Sequence, residues 1–93
     1  MKNKRQEVDW KHVIAADADV MKRIKEKLED YGEHTFCSRH EIIGILDEEF
    51  IELEDAIRDK TLDRFIHFKE ELIDIAVACI FGIACIDNHS LDW

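Results

Sequence analysis

Two short carboxylate pairs carry the residues best suited to chemistry: Glu49 with Glu52, and Glu71 with Asp74. Each pair has i, i+3 spacing, which on a helix puts both side chains on one face about a turn apart. Around the first pair, apolar residues at 42, 46, 50, 53 and 57 repeat as in an amphipathic helix. Glu49 projects into the middle of that apolar arc, between Leu46 and Leu53, and Glu52 lies at its edge. In the second stretch, Leu72 to Ile86, Asp74 is the one charged or strongly polar side chain. An ionised carboxylate in such surroundings costs on the order of several kcal/mol unless something positive or protic meets it.

The elements that position these acids are two helices and the turn between them. Thr61 is the expected N-cap of the later helix, after the polar run Arg58-Asp59-Lys60, so the chain is predicted to fold back as an antiparallel hairpin about residues 60–62. In that register Glu52 lies opposite Glu71, and Glu49 opposite Asp74. Four converging carboxylates repel one another. The usual relief is a hard divalent cation with oxygen ligands, Mg²⁺ or Mn²⁺, which makes Glu49, Glu52, Glu71 and Asp74 the candidate metal ligands.

With these residues placed, the chain resembles a known family. Glu-Glu-Phe-Ile-Glu-Leu at 48–53, followed by Glu-Leu-Ile-Asp at 71–74, is similar to the Glu-x-x-Glu…Glu-x-x-Asp signature of the MazG-like all-α nucleoside triphosphate pyrophosphohydrolases. Tyr31-Gly32, Phe36, Ser38-Arg39-His40-Glu41 and Ile45-Leu46 resemble the short single-domain members, so the likeness spans about residues 28–86. It implies Mg²⁺-dependent hydrolysis of a nucleoside triphosphate between the α and β phosphates, giving a nucleoside monophosphate and pyrophosphate, as in house-cleaning of the nucleotide pool. Glu49 and Glu52 would then serve catalysis, with Glu48 beside them as a base or water-positioning group. Arg39 and Lys69 are candidates for the phosphates, and His40 and Phe36 for the nucleotide.

Composition sets the bounds. Ninety-three residues make one small domain with limited capacity for a private core, yet 46% are hydrophobic. The surplus, concentrated in 72–86, predicts burial against a second copy as a homodimer or a dimer of dimers, with Ala76, Ala78, Gly82 and Ala84 allowing close helix approach. A net charge of −9 argues against nucleic-acid binding, which needs clustered lysine and arginine. Basic residues do gather at Lys2, Lys4, Arg5 and Lys11 and at Lys22, Arg23, Lys25 and Lys27; solvated helix faces are the ordinary account of them. Cys37, Cys79 and Cys85 form no Cys-x-x-Cys and read as reduced core thiols of a cytoplasmic protein. The opening Met-Lys-Asn-Lys-Arg-Gln-Glu lacks the apolar core of a signal peptide, and the 72–86 run falls short of the roughly 20 residues that span a bilayer.

Along the chain, residues 1–7 are charged and expected to be mobile. A first helix is predicted over 8–30, with a break near 16–19 and an end at Tyr31-Gly32. Ser38-Arg-His-Glu41 has the form of a capping box, so the second helix starts near Arg39 and runs to about Arg58. The third covers 62–87. With no proline and no β-alternation the chain reads as all-α, an antiparallel bundle of three to four helices completed by oligomerisation.

Other chemistries fit less well. His34-x-x-Cys37-x-x-His40 offers three zinc ligands at most and straddles a helix start, unlike closed four-ligand sites. A di-iron bundle needs Glu-x-x-His pairs, which the second and third helices lack. Asp47, Glu54 and Asp55 read as solvated surface charges, and Trp10 and Trp93 as interface anchors. The rival of another class is a non-catalytic helical module that keeps this scaffold and binds nucleotide or a protein partner without turnover.

Overall fold

Local capping sets where the helices begin. Ser38 is extended (φ −152°, ψ 165°) and its Oγ accepts the Glu41 backbone N–H at 3.3 Å, so the helix starts at Arg39 as the capping motif predicts. The structure, a computed structural model, describes residues 5–31 and 38–93. It contains α1 (Trp10–Tyr31), α2 (Arg39–Ile57) and α3 (Arg64–Asp87). No strand occurs among the described residues; the one extended pairing is an isolated bridge between Ser38 and Asp92, which brings the C-terminal tail back to the start of α2. The first helix runs unbroken through 16–19, where a break was expected.

The start of α3 departs from expectation for a local reason. Thr61 Oγ1 accepts the N–H of Asp63 at 3.2 Å, and Asp59 Oδ1 accepts the N–H of Thr61 at 2.8 Å. These side-chain turns compete with helix geometry. They hold 59–63 as a compact turn, leave Leu62 96% exposed and delay the helix to Arg64, so Thr61 shapes the turn and does not cap the helix.

The third helix is the centre of the architecture: α1 and α2 each pack on it and not on each other among the described residues. Against α2, Gly82 is buried facing the Ile42 side chain, where a Cβ would stand at ordinary contact distance, 3.4 Å from Cδ1. Gly82 therefore serves packing within the chain, where the sequence suggested an approach between copies. Ile24, Ala56, Val77, Ala78 and Cys85 form the small buried core. One side of α3 stays open, with Leu72, Ile80, Ile83 and Ile86 all at least 38% exposed, so in a single copy this helix is not buried all round. Cys79 is exposed on it rather than in the core, while Cys85 is buried, as expected. No helix among the described residues is long and apolar enough to cross a membrane.

Candidate functional site

The hairpin brings the four predicted acids together. One carboxylate oxygen from each of Glu49, Glu52, Glu71 and Asp74 lies within 4.8 Å of the others. The side chains of Glu71 and Asp74 are only 16% and 18% exposed, Glu49 is half-buried, and Glu52 stands at the open edge. Oε2 of Glu49 and Oε2 of Glu71 are buried without a hydrogen-bond partner among the described residues. This is the arrangement expected from the acid at the middle of the α2 apolar arc facing the acid within the α3 apolar run.

The electrostatics follow from that geometry. Burial pushes the Glu49 carboxyl above its ordinary range, and the charges of Glu52, Asp74 and Glu71 push it further, against a smaller opposing effect of Lys27. Burial likewise raises Glu71, joined by the charges of Glu52 and Asp74, while His67 pulls the other way. Asp74 differs. Its Oδ1 accepts a hydrogen bond from Arg23 Nη1 at 2.7 Å and lies 3.8 Å from Lys27 Nζ, both on α1, and Arg23 also pairs with Glu70.

No family model, curated protein or solved structure matches this chain. The site is therefore read from its own chemistry. An all-carboxylate donor set suits a hard cation. Oxygens around an octahedral Mg²⁺ stand about 3.0 Å apart when adjacent and about 4.2 Å when opposite, at bond lengths of roughly 2.1 Å, so a cluster whose oxygens lie within 4.8 Å of one another would draw together to close on one. Glu49 and Glu71 each also carry a buried oxygen without a hydrogen-bond partner among the described residues, a cost that a bound cation would offset.

The remaining candidates lie apart from the cluster. Glu48 is exposed beside Glu49 and outside the converging group. Arg39 begins α2, about 15 Å of helix rise before Glu49, where its guanidinium stacks 4.6 Å from the Trp93 ring centroid. His40 follows it and is exposed. Lys69 turns to α1 and pairs with Asp19 at 3.1 Å, beside a groove lined by Ala16, Val20, Leu72, Ile73 and Ala76. Phe36, His34 and Cys37 lie outside the described residues. Asp47, Glu54 and Asp55 are exposed, as expected of solvated charges.

Three further side chains, Arg23, Lys27 and His67, border the cluster without standing out in the sequence. Arg23 and Lys27 are spaced i, i+4 and flank Ile24, a signal hidden because lysine and arginine surround that part of α1. His67 sits one turn before Glu71, its Nε2 3.7 Å from Glu71 Oε1, and its Nδ1 is 3.0 Å from Asp59 Oδ2. Hydrogen bonds from the Thr61 hydroxyl and backbone and from His67 hold Asp59 down at about 2.

Proposed function

We propose that this chain is a divalent-cation-dependent nucleoside triphosphate pyrophosphohydrolase of the MazG-like kind, converting a (deoxy)nucleoside triphosphate and water to the monophosphate and pyrophosphate in a cytoplasmic house-cleaning role. The observation that carries the reading is the convergence of four acids from one hairpin, two of them with buried, unpartnered oxygens. Glu49, Glu52, Glu71 and Asp74 would hold Mg²⁺, for which Mn²⁺ substitutes. That cation would neutralise polyphosphate oxygens and lower the pKa of the attacking water.

The chain's own groups set the rest. Glu52, at the open edge, is the acid nearest to incoming substrate, and Glu49 lies deeper in the cluster, where the cation would offset the burial and the neighbouring charges that raise its carboxyl. Arg23 and Lys27 supply positive charge on the α1 side, where phosphate oxygens would otherwise meet only acids. Arg39 and His40, a helix length away, would serve only the far end of a nucleotide or one bound across two copies. The open apolar side of α3 supports a homodimer or a dimer of dimers.

One observation favours the second reading, a non-catalytic nucleotide-binding or protein-interaction module: Arg23 and Lys27 already neutralise Asp74 without any cation. A product-resolved screen of the common ribo- and deoxynucleoside triphosphates with Mg²⁺ separates the two. Pyrophosphate released by the wild type and lost in Asp74→Asn establishes the enzyme. Cation-dependent nucleotide binding with no product establishes the module.

A further inference from the structure

Three contacts run in series from the α2–α3 turn to the acid cluster. The Thr61 N–H donates to Asp59 Oδ1 at 2.8 Å, Asp59 Oδ2 lies 3.0 Å from His67 Nδ1, and His67 Nε2 lies 3.7 Å from Glu71 Oε1, within ion-pair reach though beyond a direct hydrogen bond. At the end of this series the two Glu71 oxygens are no longer equivalent. Oε1 faces the imidazole, and Oε2 is buried with no partner among the described residues.

We propose that His67 is a positioning residue for a divalent cation: fixed by Asp59 through one ring nitrogen, it holds Glu71 with Oε2 free for the metal. The proposal rests on the cation-site reading of the cluster. An ordinary i, i+4 pair on a helix surface rotates freely and orients little. Here the two carboxylates are shielded, Asp59 at 17% and Glu71 at 16% exposure, and although the ring between them is 42% exposed, it is anchored on its other side to Asp59, which the turn backbone also bonds. Partners that orient a ligating carboxylate from outside typically change metal affinity by about 10–100-fold. Asp59, held ionised first by the Thr61 hydroxyl and backbone and then by His67, is the fixed point against which the imidazole is set.

The test is a Mn²⁺ titration of the full chain at fixed neutral pH, following the free-ion electron paramagnetic resonance signal, for the wild type and for His67→Ala, His67→Asn and His67→Gln. Loss of the ring in His67→Ala should weaken binding about tenfold. His67→Asn, too short to reach Glu71, should be as weak, whereas the His67→Gln amide, which reaches Glu71 one turn on, should recover most of the affinity. Should His67→Ala fail to fold, the Asn and Gln pair still decides. Wild-type affinity in the Asn variant, or Gln no better than Asn, overturns the positioning role and leaves the cation site standing. A wild type that takes up no Mn²⁺ removes both.

Discussion

Arg23 Nη1 lies 2.7 Å from Asp74 Oδ1, so a cation from α1 already sits on one of the four acids that α2 and α3 bring together. Asp74 thereby meets two basic side chains, whereas Glu71 faces only the His67 imidazole at 3.7 Å, and Oε2 of Glu49 and of Glu71 are buried with no hydrogen-bond partner among the described residues. The cluster is divided into a compensated half and an uncompensated half, and the two halves should respond in opposite ways to the same kind of substitution.

Removing the compensating charge is the first case. Arg23→Met keeps a long apolar stem and strips the guanidinium from a pair shielded on both sides, at 28% and 18% exposure. Hydrogen bonds to charged groups contribute about 1.5–3 kcal/mol, and a domain of this size shifts its melting temperature by roughly 4–8 °C per kcal/mol. The variant should melt about 6–24 °C lower in EDTA, and Mg²⁺ should stabilise it by more than it stabilises the wild type, because the added cation replaces the lost charge. Thermal melts with and without Mg²⁺ measure this; an unchanged melting temperature in EDTA would show that the pair contributes nothing to the docking of α1.

The uncompensated half gives the reverse. Glu49→Gln removes one of several mutually repelling charges without breaking an ion pair, so it should raise cation-free stability by about 0.5–2 kcal/mol, as is common where function keeps a site strained. The same change should abolish Mg²⁺-dependent pyrophosphate release. Asp74→Asn should also abolish release while lowering stability, since it abandons Arg23 and Lys27. Urea midpoints that move in the same direction for both variants would contradict the division.

Much of this was readable from residue types. The i, i+3 acid pairs, their symmetric placement about one turn and the Ser38 cap come from local rules, and the fold keeps them. What local rules left undetermined was the face of α1: Lys22, Arg23, Lys25 and Lys27 look alike on a helix wheel, and only the packing of α1 on α3 selects Arg23 and Lys27 for Asp74. Lys69 illustrates the converse. Two residues from Glu71, it points to the other side of α3 and meets Asp19. Thr61 was misplaced as a helix cap because a short side-chain turn and a cap use the same hydroxyl.

Acidity offers a third prediction. Glu49 and Glu71 are raised above the ordinary 4.5, so between 4.5 and their raised values the folded chain binds more protons than the unfolded one. Stability of the cation-free protein must then fall as pH rises through that interval. Asp59 runs the other way: lowered from 3.8 to about 2, it contributes stability above 3.8 that is lost as pH falls towards 2. Unfolding midpoints in EDTA should peak in mildly acidic solution, and saturating Mg²⁺ should lift the neutral side. A cation-free midpoint that climbs steadily from acid to neutral pH would count against the raised carboxyls.

The last prediction concerns the open side of α3. Leu72, Ile80, Ile83 and Ile86, at 47%, 38%, 57% and 55% exposure, recur at helical spacing with Ala76 and Cys79 between them, an apolar stripe longer than single-chain proteins commonly leave in water. Light scattering should return a multiple of the 11.0 kDa chain mass, and Ile83→Glu, which places a charge in the middle of the stripe, should shift the protein towards monomer. A wild type that is monomeric at every concentration overturns this. All four acids come from one chain, so the dissociated variant should retain Mn²⁺ affinity. Turnover is the sensitive quantity. If it falls on dissociation while Mn²⁺ still binds, a second copy must complete the substrate pocket.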